Sequence, residues 1–451
     1  PTQTHCFAEN TLCALTHRAH PVRCSLRPAY PRGSVSMLSR SHTSPPTSSR
    51  EAGQLTRPAG SKARCALERL AQRLLPLTAA IWCYGSSILS TRALPDDEAY
   101  RCAARALTRG ESPYVCERYI YPPLLAQLEA AAARGLSETG VQGAMRALNV
   151  GASVWLALFA VTFWTEDRWR RALAAAALLW WSPNFGDALY NGNLGPLVCA
   201  LALWGLSRWR VQPLAAGLML GLSLALKPLG PAAWLLLVGH RPESGGRAPQ
   251  LKAAATAAIT AGVLSWPGRA LLPELAARVQ GHPEALHNVS LQRVAHLLGL
   301  SFAPHWQFLV VCAIALLFVR RNPHSLASLM HIGCASVIVS QPIVWGHTMV
   351  IMYPTLAAAI TRATRAAGSS PREHLLRVMC VCLGCLCVAQ CGMFGDLAYA
   401  IAGPWGAVVA ATPLGLTLVL AGYAAGDPRS LHGSAEQVRA PARTRAEARN
   451  D

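Results

Sequence analysis

Charge is what this sequence has least of. Only 14% of its 451 residues are Asp, Glu, Lys or Arg, against about 25% in an ordinary soluble domain. That deficit argues against a water-soluble enzyme of this length. Acids are the scarcer sign, 22 against 41 Lys and Arg. Nucleic-acid motifs are missing too: no helix-turn-helix, zinc finger or aromatic-interleaved RNA motif accompanies the formal charge of +19. The basic residues lie instead between apolar runs and in the N-terminal tail, as the positive-inside rule expects of cytoplasmic loops. What the chain does have is apolar surface. Hydrophobic residues make up 52% of it, in runs of Leu, Ala, Val and Trp that recur along its length. This composition predicts an all-α polytopic membrane protein, and it excludes bulk disorder and a disulfide-dense secreted scaffold.

Residues 1–62 are rich in Ser, Pro, Thr and Arg without an apolar h-region, so the tail does not read as a signal peptide. The sequence begins at Pro1, and Met37 offers an alternative start that would leave part of the tail as overrun. Residues 426–451 form a second polar tail, and both tails are expected to be disordered. Between them, 63–425 reads as one membrane domain with apolar segments near 72–92, 144–164, 172–187, 194–208, 213–226, 228–239, 251–267, 306–320, 326–341, 347–361, 376–394 and 405–424. The expectation is about twelve transmembrane helices, within a range of 10–13. Several segments fall short of the roughly 20 residues a spanning helix needs, as broken helices around a buried cavity do.

Loop charge gives the orientation. Arg168, Arg170, Arg171, Arg208, Arg210, Arg241, Arg247, Lys252, Arg320, Arg321, Arg362, Arg365, Arg372 and Arg377 fall on one side, whereas 188–193, 342–346 and 395–404 hold no Lys or Arg. Both termini are therefore expected in the cytoplasm. This needs 213–239 to be a hairpin broken at Lys227-Pro228. The two longer polar stretches, 93–143 and 268–305, become extracytoplasmic loops. The first carries seven of the 22 acids: Asp96, Asp97, Glu98, Glu111, Glu117, Glu129 and Glu138.

Fifteen cysteines need an account. Cys380, Cys382, Cys385, Cys387 and Cys391 lie in an apolar run without interleaved His or acid, so they read as packing residues and not as metal ligands. Cys102 and Cys116 share the first outer loop, where a disulfide is open to them.

Few polar residues sit near membrane depth, and they gather on the outer side. Asp96 directly follows the first span. It reads as a general base once desolvated, or as the N-cap and first-turn acid of a helix over 97–108. Tyr114 and Tyr119-Ile120-Tyr121-Pro122-Pro123 read first as interfacial anchors and an element boundary. Asn191-Gly192-Asn193 either caps a helix or donates to a sugar hydroxyl. Lys227, before Pro228, either snorkels or meets an anionic phosphate. His347, after Trp345-Gly346, is structural or catalytic; the company of Asp96, Asn191 and Lys227 on one face favours chemistry. Asn288-Val289-Ser290 matches a glycosylation sequon, a pattern too common to carry weight.

Taken in order, Asp96 to Tyr100, Ala103-Ala104-Arg105-Ala106-Leu107, Gly110, Pro113-Tyr114, Tyr121-Pro122-Pro123, Asn191-Gly192-Asn193, Leu226-Lys227-Pro228, Asn288-Val289-Ser290-Leu291 and Pro342 to His347 resemble glycosyltransferase family 87. The resemblance spans residues 70 to 425. Members are polyprenyl-phosphate-sugar-dependent mannosyltransferases of the GT-C superfamily. It implies a GT-C-type fold with a large first extracytoplasmic loop, and a multi-pass protein of the cell membrane whose cavity opens outside the cytoplasm. The catalytic acid carries onto Asp96, with Asp97 as the adjacent candidate. Lys227 and His347 become the donor-phosphate ligands, while Tyr100, Tyr114, Tyr121, Asn191, Asn193 and Asn288 bind substrate. Trp345-Gly346-His347-Thr348 stands where the family has Trp-Asp-His-His, and Asn193 replaces the usual Gln; both departures bear on the sugar and the acceptor.

The implied reaction transfers a hexose, mannose above all, from a polyprenyl phosphate to a lipid- or polymer-linked acceptor with inversion. A membrane lipid surface is part of the expected setting, nucleic acid is not, and no cofactor is called for; a divalent ion at Asp96-Asp97-Glu98 is a minority alternative. The rivals are the same fold with arabinofuranose or glucose, a transporter or lipid flippase with broken helices around Lys227, and a structural membrane subunit.

Overall fold

Proline and glycine cut the apolar sequence into more pieces than its hydropathy suggests. The computed structural model describes residues 60–89, 94–227, 247–280, 288–300, 309, 313, 326–341, 343–366 and 370–426. Among them there is no strand. The tails at 1–62 and 426–451 fall almost wholly outside the described residues, as do the segment 228–239 and nearly all of 306–320. The first helix, α1, runs Gly60–Leu89 and is followed by α2 (Pro95–Thr108), α3 (Pro123–Ala132), α4 (Glu138–Val161), α5 (Arg168–Trp181), α6 (Pro183–Asn191), α7 (Gly195–Arg208) and α8 (Pro213–Leu226). After these come α9 (Ala248–Ser265), α10 (Leu272–Gln280), α11 (Leu291–Leu297), α12 (Leu326–Ser340), α13 (Tyr353–Arg365), α14 (Pro371–Ala389), α15 (Cys391–Ile401) and α16 (Gly403–Ala425). Short 3₁₀ turns cover Pro113–Val115, Trp266–Leu271 and Gly346–Met352.

The all-α expectation holds, and the count of about twelve spans does not. Among the described residues two helices, α4 and α16, are long and apolar enough to cross a membrane; the pair α14 and α15, bent by 71° at Gln390, makes a third if it counts as one span. The physical reason is length. At 1.5 Å per residue the 14-residue helices α7 and α8 rise only about 21 Å, short of a hydrocarbon core of about 30 Å. The expected span 172–187 is likewise two helices. Pro183 cannot continue α5, and the Ser182 hydroxyl caps α6 by accepting from Phe185 N–H at 3.2 Å. Similarly, 347–361 opens as a 3₁₀ turn before α13 begins at Tyr353.

One continuous apolar core joins these pieces, from Tyr84 on α1 through Leu156, Leu203 and Ile338 to Leu420 on α16. Large apolar side chains also cover the outside, Trp181 being 83% exposed, with Trp82, Ile259, Val263, Leu383 and Val419 similarly bare. Such a surface fits an apolar surrounding. The fifteen-residue stretch around α2 is closed by a disulfide, Cys102–Cys116, which ties α2 to the 3₁₀ turn at Pro113. Cys380, Cys382, Cys385 and Cys387 lie along α14 and Cys391 opens α15, and the described residues contain no cluster of metal ligands.

A close helix contact among the described residues is built on Gly217 and Gly221 of α8, four residues apart. A Cβ on Gly217 would stand 2.5 Å from Ala253 O, and one on Gly221 2.6 Å from Ala257 O, both on α9. Bare backbone on one helix face lets the partner helix approach, the small-xxx-small device of membrane helix pairs. We therefore expect Gly221→Leu to separate α8 from α9 and destabilise the fold by about 1–3 kcal/mol. Thermal unfolding of purified variant and wild type in the same detergent measures this; an unchanged midpoint would show the contact to be dispensable.

Candidate functional site

Lys227 ends α8 in an extended conformation, as the residue before a proline must, and its side chain reaches the start of the 3₁₀ turn at Gly346. There its Nζ lies 3.4 Å from His347 Nε2 and 5.3 Å from the centre of the Tyr121 ring. The other edge of the imidazole faces α6: Nδ1 is 3.2 Å from Asp187 Oδ2, which also accepts from the His347 backbone N–H at 3.1 Å. His347 is only 3% exposed. Trp345 packs its ring edge-on against it.

On the opposite flank stands Asp96. Pro95 opens α2, and the residue preceding the helix, Leu94, offers no side-chain cap. Asp96 is thus a first-turn acid, as expected, but not the N-cap. Its carboxylate is instead turned toward Asn193 and accepts from Asn193 Nδ2 at 2.6 Å; the Tyr121 hydroxyl stands 3.5 Å away. The second Nδ2 hydrogen goes to the Tyr121 hydroxyl at 2.7 Å. Asn193 Oδ1 accepts from Gly195 N–H at 2.8 Å, at the start of α7. The oxygen thus bonds the first residue of α7, whose N-cap is Leu194, while the nitrogen serves Asp96 and Tyr121, a use that neither sequence reading named.

The aromatic residues support Tyr121. Tyr100 packs edge-on against its ring at 5.0 Å, and the Tyr114 hydroxyl donates to the Tyr121 carbonyl at 3.0 Å. Tyr119 donates to the Pro122 carbonyl and accepts from Ala126 N–H, holding the Pro122-Pro123 corner that starts α3. Burial pushes the phenols of Tyr100 and Tyr121 well above their ordinary range, so both remain protonated at neutral pH.

Asp97 belongs to a different set of contacts. It is 2% exposed, and its Oδ2 accepts from Arg146 Nε at 2.8 Å and Nη2 at 2.5 Å. Burial pushes the Asp97 carboxyl up from the usual carboxylate range, while the Arg146 guanidinium and the Leu94 backbone pull it down. Gly192 lies against this pair with φ of 74°, and a Cβ there would stand 2.5 Å from Asp97 Oδ1. Only glycine both adopts that backbone and leaves room for the carboxylate.

Asp96, Tyr121, Asn193, Lys227 and His347 thus come together, with Tyr100 and Tyr114 behind them. Asn191 is one step removed, donating to Asp187 Oδ1 at 2.7 Å. Asn288 stands apart and buried: its Oδ1 accepts from Ser290 N–H and Val344 N–H, tying 288–290 to the strip before Trp345. Four further residues escaped the sequence reading. Arg146 and Asn149 lie in the long apolar helix α4, and an ionisable residue within such a run is itself a signal. Asp187 sits one helical turn before Asn191. Glu129 looked like one more loop acid.

No family model, curated protein or solved structure matches the chain.

Glu129, on α3, is 5% exposed, and desolvation raises its carboxyl to about 8, with Asp97 adding to the rise. A carboxyl raised in the fold favours folding below its unfolded value, and that contribution is lost as pH climbs through about 8. Wild-type stability should therefore fall between about pH 5 and pH 9 more steeply than that of Glu129→Gln. Thermal melts of both proteins across this range test it; parallel curves would refute it.

Proposed function

We propose that this chain is an integral-membrane glycosyltransferase with a GT-C-type architecture, moving a hexose, mannose foremost, from a polyprenyl phosphate to a lipid- or polymer-linked acceptor. One observation carries the reading. An acid, an amide, a phenol, an ammonium and an imidazole, drawn from residues 96 to 347, form one connected run: Asp96–Asn193–Tyr121–Lys227–His347. A carboxylate at one end and a cation at the other is the charge layout that displacement of a phosphate by a hydroxyl requires.

In this mechanism the acceptor hydroxyl attacks the anomeric carbon from the face opposite the leaving group, so the configuration inverts. Its proton passes to Asp96. The bond between the anomeric carbon and the phosphate oxygen breaks, and the polyprenyl phosphate departs as an anion. Lys227 stabilises the charge that grows on that oxygen, with His347 beside it. Asn193 holds the Asp96 carboxylate at a fixed angle, and Tyr121 separates the acid from the cation. Asp97, buried against Arg146, builds the floor beneath Gly192 and leaves the base to Asp96.

The exposed apolar surface and the candidate spans α4 and α16 support a membrane setting. The Cys102–Cys116 disulfide supports a site on the oxidising, extracytoplasmic side; the proposal that both termini lie in the cytoplasm rests on loop charge alone.

Asp96→Asn should abolish transfer while the protein stays folded and membrane-inserted. The assay incubates membranes with radiolabelled polyprenyl-phosphate mannose, arabinose or glucose and identifies the labelled product. Full activity in the variant would remove Asp96 as the base. Lys227→Met should weaken donor use by roughly 10²-fold in kcat/KM, the loss expected when one charge stabiliser is removed; an unaltered value would exclude its phosphate role.

A further inference from the structure

The transfer chemistry above gives Asp187 no part, yet three donors converge on its carboxylate. Oδ2 takes the backbone N–H and the Nδ1 edge of His347, and Oδ1 takes the Asn191 amide. Across the ring, His347 Nε2 faces the Lys227 ammonium at 3.4 Å. A carboxylate can only accept hydrogen bonds and an ammonium can only donate them. Between those two neighbours a neutral imidazole satisfies both contacts in one way, with the proton on Nδ1 and the lone pair on Nε2. A hydrogen-bonding group on one ring nitrogen sets what the other can do.

We infer that Asp187 is a positioning residue that locks His347 in the Nδ1–H tautomer and thereby aims the Lys227 ammonium at the site. The helix that carries it suits the task. Its first turn is capped by Ser182, and its end is set by Gly192 in the left-handed region. Nine residues held at both ends leave little freedom in where the carboxylate points. The backbone bond from His347 adds a second constraint, because it pins the 3₁₀ turn and the ring together. Removing the carboxylate frees the ring to carry its proton on either nitrogen. An Nε2–H would point at the ammonium, and the two would separate.

The kinetic half of this inference rests on the transferase reading; the tautomer half does not. The full chain, labelled with ¹⁵N-histidine and reconstituted in nanodiscs without any donor, gives the ring nitrogens by NMR, the His347 signal being identified by its loss in His347→Gln. Wild type should show a single Nδ1–H form, and Asp187→Ala a mixture of tautomers. An Nε2–H form in wild type overturns the proposal without any need for the Ala variant to fold. A single Nδ1–H form that persists in Asp187→Ala overturns it as well. In the transfer assay, Asp187→Ala should lower kcat on the order of 10²-fold with donor KM changed less than about threefold. Mixed tautomers with an unchanged kcat would refute the positioning role. The expected tautomers in a wild type that transfers no sugar would uphold the positioning and defeat the transferase reading alone.

Discussion

The Asn193 carboxamide has no freedom left, and the arrangement of the site follows from that. Its oxygen is committed to the Gly195 N–H, so the amide cannot flip, and both of its hydrogens then have fixed directions. One meets Asp96 and the other Tyr121. The backbone around it is fixed from the far side, where Asn149 on α4 donates to the Asn193 carbonyl at 2.6 Å and accepts from Leu197 N–H at 3.1 Å. A single residue between α6 and α7 thereby registers α2, the tyrosine loop and α4 against one another. Buried hydrogen bonds of this kind matter less for what they add than for what their loss would cost, since each orphaned group keeps its full desolvation penalty.

Beneath the amide lies the buried pair of Asp97 and Arg146. Taking both charges out of water costs several kcal/mol per ion before their attraction is counted, so the pair is weak evidence of stability. Its use is geometric. It anchors the first turn of α2 to α4, and the left-handed Gly192 closes over it, which brings Asn193 to Asp96. Two adjacent acids therefore have separate tasks: one is consumed in fixing the helix, and its neighbour is left facing the amide.

Much of the site could be read before any fold was known, because the few polar residues near membrane depth in an apolar chain stand out. Asp96 directly after the first apolar segment, Asn193 on the same outer side, Lys227 before Pro228 and His347 after Trp345-Gly346 are legible on that ground. Asp187 and Arg146 were not, since each acquires its meaning from a partner far along the chain, at His347 and Asp97. The spans were over-counted for a related reason. Hydropathy averages across Ser182-Pro183 and Gln390, where the backbone in fact breaks or bends, and a mean over twenty residues carries no trace of a corner.

The bridge between Cys102 and Cys116 has a consequence for how the protein matures. By the chain-entropy argument, closing a loop of about 15 residues contributes about 3 kcal/mol, and here it fastens the helix bearing Asp96 to the turn bearing Tyr114. The bridge forms only where thiols are oxidised. Under the proposed topology, a newly made chain whose loop has not yet reached such a compartment holds its acid and its tyrosines on a slack tether. On that proposal, assembly of the candidate site is coupled to delivery of the loop, and a protein stranded on the reducing side would carry every proposed site residue without the fastening that sets them in place.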